Sequence, residues 1–269
     1  MADWQPLVAD SQRTKVIEVL REIAAAIPEP SGASVVPLNL DRALFRAYLA
    51  QDETVDDTDD VIGNSLAAAV TAFVSSGSVP ALYSGACGVG WSIEHLAAGE
   101  IGERVCGAVD TAVLQRLAGW EGEYDLISGL VGIGIYAMER GEAGHALAAR
   151  VLDHLERTAQ PRGDGVAWFT RPEQLVEWQR AVAPEGYWNL GLAHGIPGVI
   201  GLLARYVRHG VEVARARPLL VQATTYLLAA EPRRATARFP AWHPSSGTGG
   251  RRVSWCYGDL GVATAVFAA

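Results

Sequence analysis

Four segments of this chain repeat one short pattern: a leading residue, then Gly-x-x-Gly, then Val or Ile. That repeat restricts the fold more than any other feature. The segments are Ser84-Gly85-Ala86-Cys87-Gly88-Val89, Ser128-Gly129-Leu130-Val131-Gly132-Ile133, His194-Gly195-Ile196-Pro197-Gly198-Val199 and Tyr257-Gly258-Asp259-Leu260-Gly261-Val262. Their first glycines lie 44, 66 and 63 residues apart, which leaves room for one further helix each and loops of varying length. Each segment opens an apolar run of helical spacing. Glycine inside a helix is about 1 kcal/mol less favourable than alanine, so its repeated use needs a packing reason. Two glycines one turn apart bare a stripe of backbone, which lets the start of the helix approach its neighbours closely. Glycine-opened helices alternating with ordinary amphipathic ones predict an inner and an outer ring. The residues before the first glycines, Ser84, Ser128, His194 and Tyr257, then share one pole. An open solenoid that uses the glycines only for packing is the alternative, and four polar leading residues count against it.

The rest of the chain is helical in the same sense. Apolar spacing predicts helices over 14–27, 38–50, 61–74, 85–98, 103–118, 129–139, 142–158, 195–208 and 213–230. Runs of strict alternation are absent, so no sheet is expected. Six carboxylates between Asp52 and Asp60 read as a solvated connector. Two longer irregular segments, 159–193 and 231–254, interrupt the pattern, and loops of that length often line functional sites. The first holds Trp168, Trp178 and Trp188, and Pro172 to Arg180 is a candidate short helix. The second carries Arg233, Arg234, Arg238, Arg251 and Arg252, with no acid between Glu231 and Asp259.

Composition removes several classes of function. Apolar residues are 49% and charged residues 19%, a globular balance that 269 residues can fold around a sizeable core. The net charge of −8 argues against a general nucleic-acid binder, which needs clustered cations. The longest apolar run near the start, Leu66 to Val74 with one Thr, is too short to span a bilayer, so no transmembrane segment is expected. The N-terminal residues lack a basic stretch before an apolar one, and three scattered cysteines make no disulfide framework. A cytoplasmic protein with one domain over 1–269 is the expectation.

Three of the repeat openings carry a more specific pattern. Ala193-His194-Gly195, Trp255-Cys256-Tyr257-Gly258 and the Asp125-containing Tyr124–Gly129 segment resemble, in order and spacing, the motifs of the lanthionine synthetase C-like peptide cyclases. The resemblance covers roughly 35–269 and implies an all-α fold, the α/α toroid. It implies a zinc-dependent enzyme acting on a dehydrated precursor peptide of ribosomal origin, in partnership with a dehydratase, as in antibiotic biosynthesis. Cysteine thiols of that peptide would add to dehydroalanine or dehydrobutyrine, forming lanthionine and methyllanthionine rings. By the resemblance Cys256 is one Zn2+ ligand, and a downstream Cys-His-Gly segment supplies two more. No such segment precedes Ala269, and at about 60 residues per repeat it falls beyond roughly position 300. The toroid is therefore expected to be incomplete at its C-terminus, finished by further residues or by a complementing chain.

The chemistry assigns roles to the matched residues. The thiolate is both metal ligand and nucleophile, and its attack leaves an enolate that must be protonated. His194 titrates in the range suited to that proton. By the resemblance Asp125 belongs to the same site, orienting His194 or tuning its protonation; the alternative is a cap on the helix opening at Ser128 or Gly129. Arg252 is a candidate fixed cation for the enolate oxygen, and Tyr257 a hydrogen-bonding group for the substrate or intermediate. Cys87 and Cys106 read as packing residues. Two other functions compete. A peptide- or partner-binding toroid without a complete zinc site would share all these helices. A toroid glycosidase would need facing carboxylates, where the pole offers His, Tyr and Ser.

Overall fold

The computed structural model describes residues 8–31, 35–51, 54–57, 59–76, 79–97, 99–230, 239–243 and 254–269. These hold eleven α-helices: α1 (Asp10–Ala26), α2 (Val35–Gln51), α3 (Val61–Ser76), α4 (Ala86–Leu96), α5 (Glu100–Leu117), α6 (Leu130–Glu139), α7 (His145–Thr158), α8 (Glu177–Val182), α9 (Ile196–Arg208), α10 (Val213–Ala229) and α11 (Asp259–Ala268). Every helix expected from apolar spacing is present, with no end moved by more than four residues. The four glycine-opened helices are α4, α6, α9 and α11. They touch one another in that order, with α2 ahead of α4. Outside them, α5 packs on α4, α7 on α6 and α10 on α9, so inner and outer helices alternate along the chain. This is the α/α toroid.

The inner helices are apolar nearly all round, as burial on both faces requires. In α9 nine of thirteen residues are buried, Ile196, Leu203 and Tyr206 completely. Outer helices keep a single apolar stripe, such as Leu147, Val151, Leu152 and Leu155 of α7. Each fully buried leucine contributes roughly 2 kcal/mol. Helix α1 is the exception. It buries no residue, and Val16, Val19 and Ile23 of its apolar stripe stay exposed.

The glycines do something different from what their spacing suggests. An added Cβ on the second glycine of each opening would strike the carbonyl oxygen of the residue six positions earlier, at 2.6 Å or less. The pairs are Gly88 on Leu82, Gly132 on Leu126, Gly198 on Leu192 and Gly261 on Trp255. The first glycines Gly85, Gly129 and Gly195 meet Val79, Glu123 and Asn189 at the same offset. The close approach is thus made chiefly by each helix's own preceding loop, folded back over the helix start, and only secondarily by a neighbouring helix. That fold-back also serves the orphan N–H groups of the first turn. Leu130, Val131 and Gly132 donate to the carbonyls of Glu123, Tyr124 and Asp125, and Ala86 donates to Val79.

Successive loops are then laced together by backbone hydrogen bonds. Tyr83 N donates to Ile127 O at 3.1 Å, Leu126 N to Ala193 O at 3.0 Å, and Ala193 N to Cys256 O at 3.4 Å. This belt runs round the pole where the inner helices begin. The opposite pole is tied by charge. Arg140, its side chain 2% exposed, takes Glu94 at 2.5 Å, Glu103 at 2.8 Å and Asp110 at 3.1 Å.

Strands do occur, against expectation, but only as fragments. β1 (Gln160–Arg162) pairs antiparallel with β2 (Gly165–Ala167), and β3 (Trp188–Asn189) with β4 (Trp242–His243). They lie in the two segments read as irregular, where two or three residues are too few to show alternation. The stretch from Pro172 to Arg180 is helical in two pieces, a 3₁₀ turn at Pro172–Gln174 and the start of α8 at Glu177. Asp57, in the acidic connector, caps α3 by accepting the Val61 and Ile62 N–H groups. Among the described residues no helix is long and apolar enough to cross a membrane.

Candidate active site

The belt brings the loops before α6, α9 and α11 side by side, and with them the residues singled out in the sequence. Asp125 does both jobs open to it. Its Oδ1 accepts the Ser128 N–H at 2.7 Å, which seats the carboxylate at the helix opening. Its Oδ2 lies 2.5 Å from His194 Nδ1. The carboxylate is 2% exposed and the imidazole 41%, so the pair is anchored from below and open above.

That geometry sets the charge of the ring. Accepting from Nδ1, Asp125 stabilises the imidazolium and raises the His194 pKa above its ordinary value. Burial opposes this, and Glu123 adds a smaller upward push. Among the described residues nothing hydrogen-bonds His194 Nε2, so that nitrogen is the one able to exchange a proton with a ligand.

Tyr257 follows Cys256 on the next loop. Its ring lies against the bare backbone of Gly191, where an added Cβ would sit 2.7 Å from Tyr257 Cδ1, and stacks near His194 with centroids 6.1 Å apart. Cys256 is free and half-buried, with the Ser254 hydroxyl 3.2 Å from its sulfur. Ser84 and Ser128 are exposed at the pole, Ser84 with φ +65°. Arg252 lies outside the described residues, as do Arg233, Arg234, Arg238 and Arg251.

Three residues missed by sequence reasoning belong to this site. Glu123 is half-buried beside Asp125 and His194; burial first, and then the Asp125 charge, push its pKa up to about 7. Asn189 is 1% exposed and donates to the Tyr257 hydroxyl at 3.3 Å. Ser254 accepts the Tyr257 N–H at 3.3 Å, as Asp125 accepts that of Ser128. The signal that could have found them is the repeat itself. Asp125 and Ser254 both stand three positions before a pole residue, and Glu123, Asn189 and Arg252 all stand five before.

The remaining candidates settle as packing. Cys87 is fully buried and its thiol is pushed well up by burial. Cys106 is buried too, its pKa raised to about 11, and its thiol donates to Gly90 O. The three tryptophans separate: Trp168 is buried and donates to Leu155 O, Trp188 lies half-buried under Arg162, and Trp178 is 62% exposed.

The donor set for a metal was tested on the same residues. Among those described, no group of three or more His, Cys, Asp or Glu side chains could hold an ion. Cys256, with the Ser254 hydroxyl beside its sulfur, is part of no such group, so the described residues do not by themselves fit a three-ligand zinc.

A family model described as lanthionine synthetase C-like protein matches residues 42–269, from within α2 to the last residue of the sequence. Among solved structures, nisin cyclase superposes with a TM-score of 0.70 at 20% sequence identity, over 96% of this chain and 69% of that one. At that identity the likeness is one of fold. No curated protein matches the sequence.

Proposed function

The chain belongs to the lanthionine synthetase C-like family, and on that premise we propose that it is a peptide cyclase that closes thioether rings. A cysteine thiol of a dehydrated peptide adds across the double bond of dehydroalanine or dehydrobutyrine. The sulfur gives up its proton and bonds to the β-carbon, the π electrons pass to an enolate, and the α-carbon takes up a proton. Nothing is oxidised or reduced, and the peptide keeps its mass.

The observation that carries this reading is the His194–Asp125 pair, anchored at the belt beside the Cys256 loop and exposed on one nitrogen. His194, its pKa raised by Asp125, donates the proton to the α-carbon. Tyr257, packed beside it, offers a hydroxyl to the enolate or the substrate. Arg252 is assigned the enolate oxygen on the family resemblance alone. Cys256 is assigned one zinc thiolate on the same ground. Zinc, when bound, would hold the substrate sulfur as thiolate. The proposal takes residues 1–269 as one cytoplasmic domain, with a dehydratase supplying the dehydro residues.

Because ring closure leaves the mass unchanged, the test is a count of free thiols. The chain is incubated with a dehydrated, cysteine-containing precursor, with and without zinc, and the remaining thiols are alkylated and counted by mass spectrometry. Loss of alkylation that depends on His194 supports the cyclase. Tight peptide binding with every thiol still free would establish instead a binding toroid that does not turn over.

A further inference from the structure

We propose that Asn189 is a positioning residue that sets the Tyr257 phenol for ring closure, a role that rests on the cyclase reading above. Asn189 ends β3, next to the loop that carries His194, while Tyr257 comes from the following repeat. Its amide is oriented by its neighbours. Oδ1 accepts the Gly191 N–H at 2.9 Å, which leaves the amide nitrogen facing the Tyr257 oxygen at 3.3 Å. Behind the side chain there is no slack: a Cβ on Gly195 would meet the Asn189 carbonyl and, at 2.7 Å, its side-chain oxygen.

Two contacts of the phenol bear directly on where it sits. The bare backbone of Gly191 fixes the face of the ring, and Asn189 fixes its oxygen. A phenol that accepts from Asn189 directs its own O–H elsewhere, so the amide sets the polarity of the hydroxyl as well as its place. Asn189 touches no reacting atom and acts through Tyr257. Its offset, five residues before a pole residue, is shared with Glu123 and Arg252, so the same loop position carries polar groups in three of the four repeats.

The test uses the full chain and has an arm that needs no turnover. In 15N-labelled protein the Asn189 side-chain amide is assigned by its absence from Asn189→Ser. Tyr257→Phe, which removes only the phenol oxygen, is expected to shift that resonance. In the thiol-counting assay Asn189→Ser is expected to lower kcat about tenfold with KM within about twofold, and to add nothing in a Tyr257→Phe background. Asn189→Asp keeps an acceptor for Gly191 N–H but removes the donor, and should lose kcat as the serine variant does. It also provides the cycle if the serine variant fails to fold. An amide resonance unmoved by Tyr257→Phe, or an equal loss of rate in both backgrounds, overturns the proposal. If the native chain closes no ring, the cyclase reading fails by itself; the amide shift then still supports the contact, and its absence refutes it.

Discussion

Two histidines of this protein each hand a nitrogen to a carboxylate, at opposite poles of the same ring of helices, and they are built for different ends. At the pole where the inner helices begin, His194 Nδ1 meets Asp125 at 2.5 Å. At the other, His95 Nδ1 meets Glu139 at 2.8 Å. The difference lies in the second nitrogen. His95 Nε2 is engaged by the Tyr48 hydroxyl at 2.7 Å, and its ring is stacked on Trp91 with centroids 4.6 Å apart. Every polar atom of that ring is spent on joining α2, α4 and α6. His194 has Nε2 open to the pole and a ring 41% exposed. A histidine bonded at both nitrogens is a tie. One bonded at Nδ1 alone, to a buried carboxylate, is an acid–base group with its tautomer already chosen.

The sharpest way to break this contrast is to remove each ring in turn. His194→Ala is expected to reduce ring closure by about 10² to 10⁴-fold, the usual weight of a proton-transfer group. His95→Ala should leave the rate within about twofold and instead cost about 1–2 kcal/mol of stability, read by thermal or denaturant unfolding. Equal losses of activity in the two variants would erase the distinction.

A smaller effect is expected from the carboxylate. Asp125→Asn keeps an acceptor for Ser128 N–H but no longer stabilises the imidazolium. Activity should fall by about 10- to 100-fold, as for other partners that orient a site residue, and the His194 titration followed by NMR should move down. The sign for stability follows from the raised pKa. The pair's contribution is present in full below the ordinary histidine value of about 6.5 and is lost as pH rises through the raised value of the folded protein. Asp125→Asn should flatten that part of the profile.

The smallest effect concerns Glu123. Its pKa is raised to about 7 by burial and by Asp125, so between about pH 4.5 and 7 the folded state holds a proton that the unfolded state has released. Stability should therefore fall as pH rises through that window. Glu123→Gln removes the slope and should make the protein more stable at pH 8, relative to pH 5, than the native chain. Unfolding curves at the two pH values decide it.

Much of this was legible from the order of residues. The four openings fixed which helices are inner, and apolar spacing placed the rest. His194 and Asp125 stood out because chemistry-bearing residues occupied set positions in the repeat. Three things were hidden. Fragmentary strands such as Trp188–Asn189 are shorter than any period. Asn189 and Glu123 matter only because the loop doubles back over the helix start, a geometry that makes the offsets before each glycine as informative as those after it. The purpose of the glycines was misplaced for the same reason: spacing reveals a bare stripe but not which backbone fills it. His95, on the inner helix α4, carries no such repeat position and shows itself as a joint only in the structure.

The lacing of loop to loop by main-chain hydrogen bonds has one more consequence. Peptide groups are the same whatever side chain they carry, so the belt that sets the His194 loop beside the Asp125 loop depends on the glycines that admit the fold-back more than on the other side chains around it. The excursion from Thr158 to Tyr187 takes no part in the belt and is tied down separately, through buried Trp168 and its bond to Leu155 O, while Trp178 stays exposed. Substitutions at its exposed positions are therefore expected to leave the His194–Asp125 pair in place.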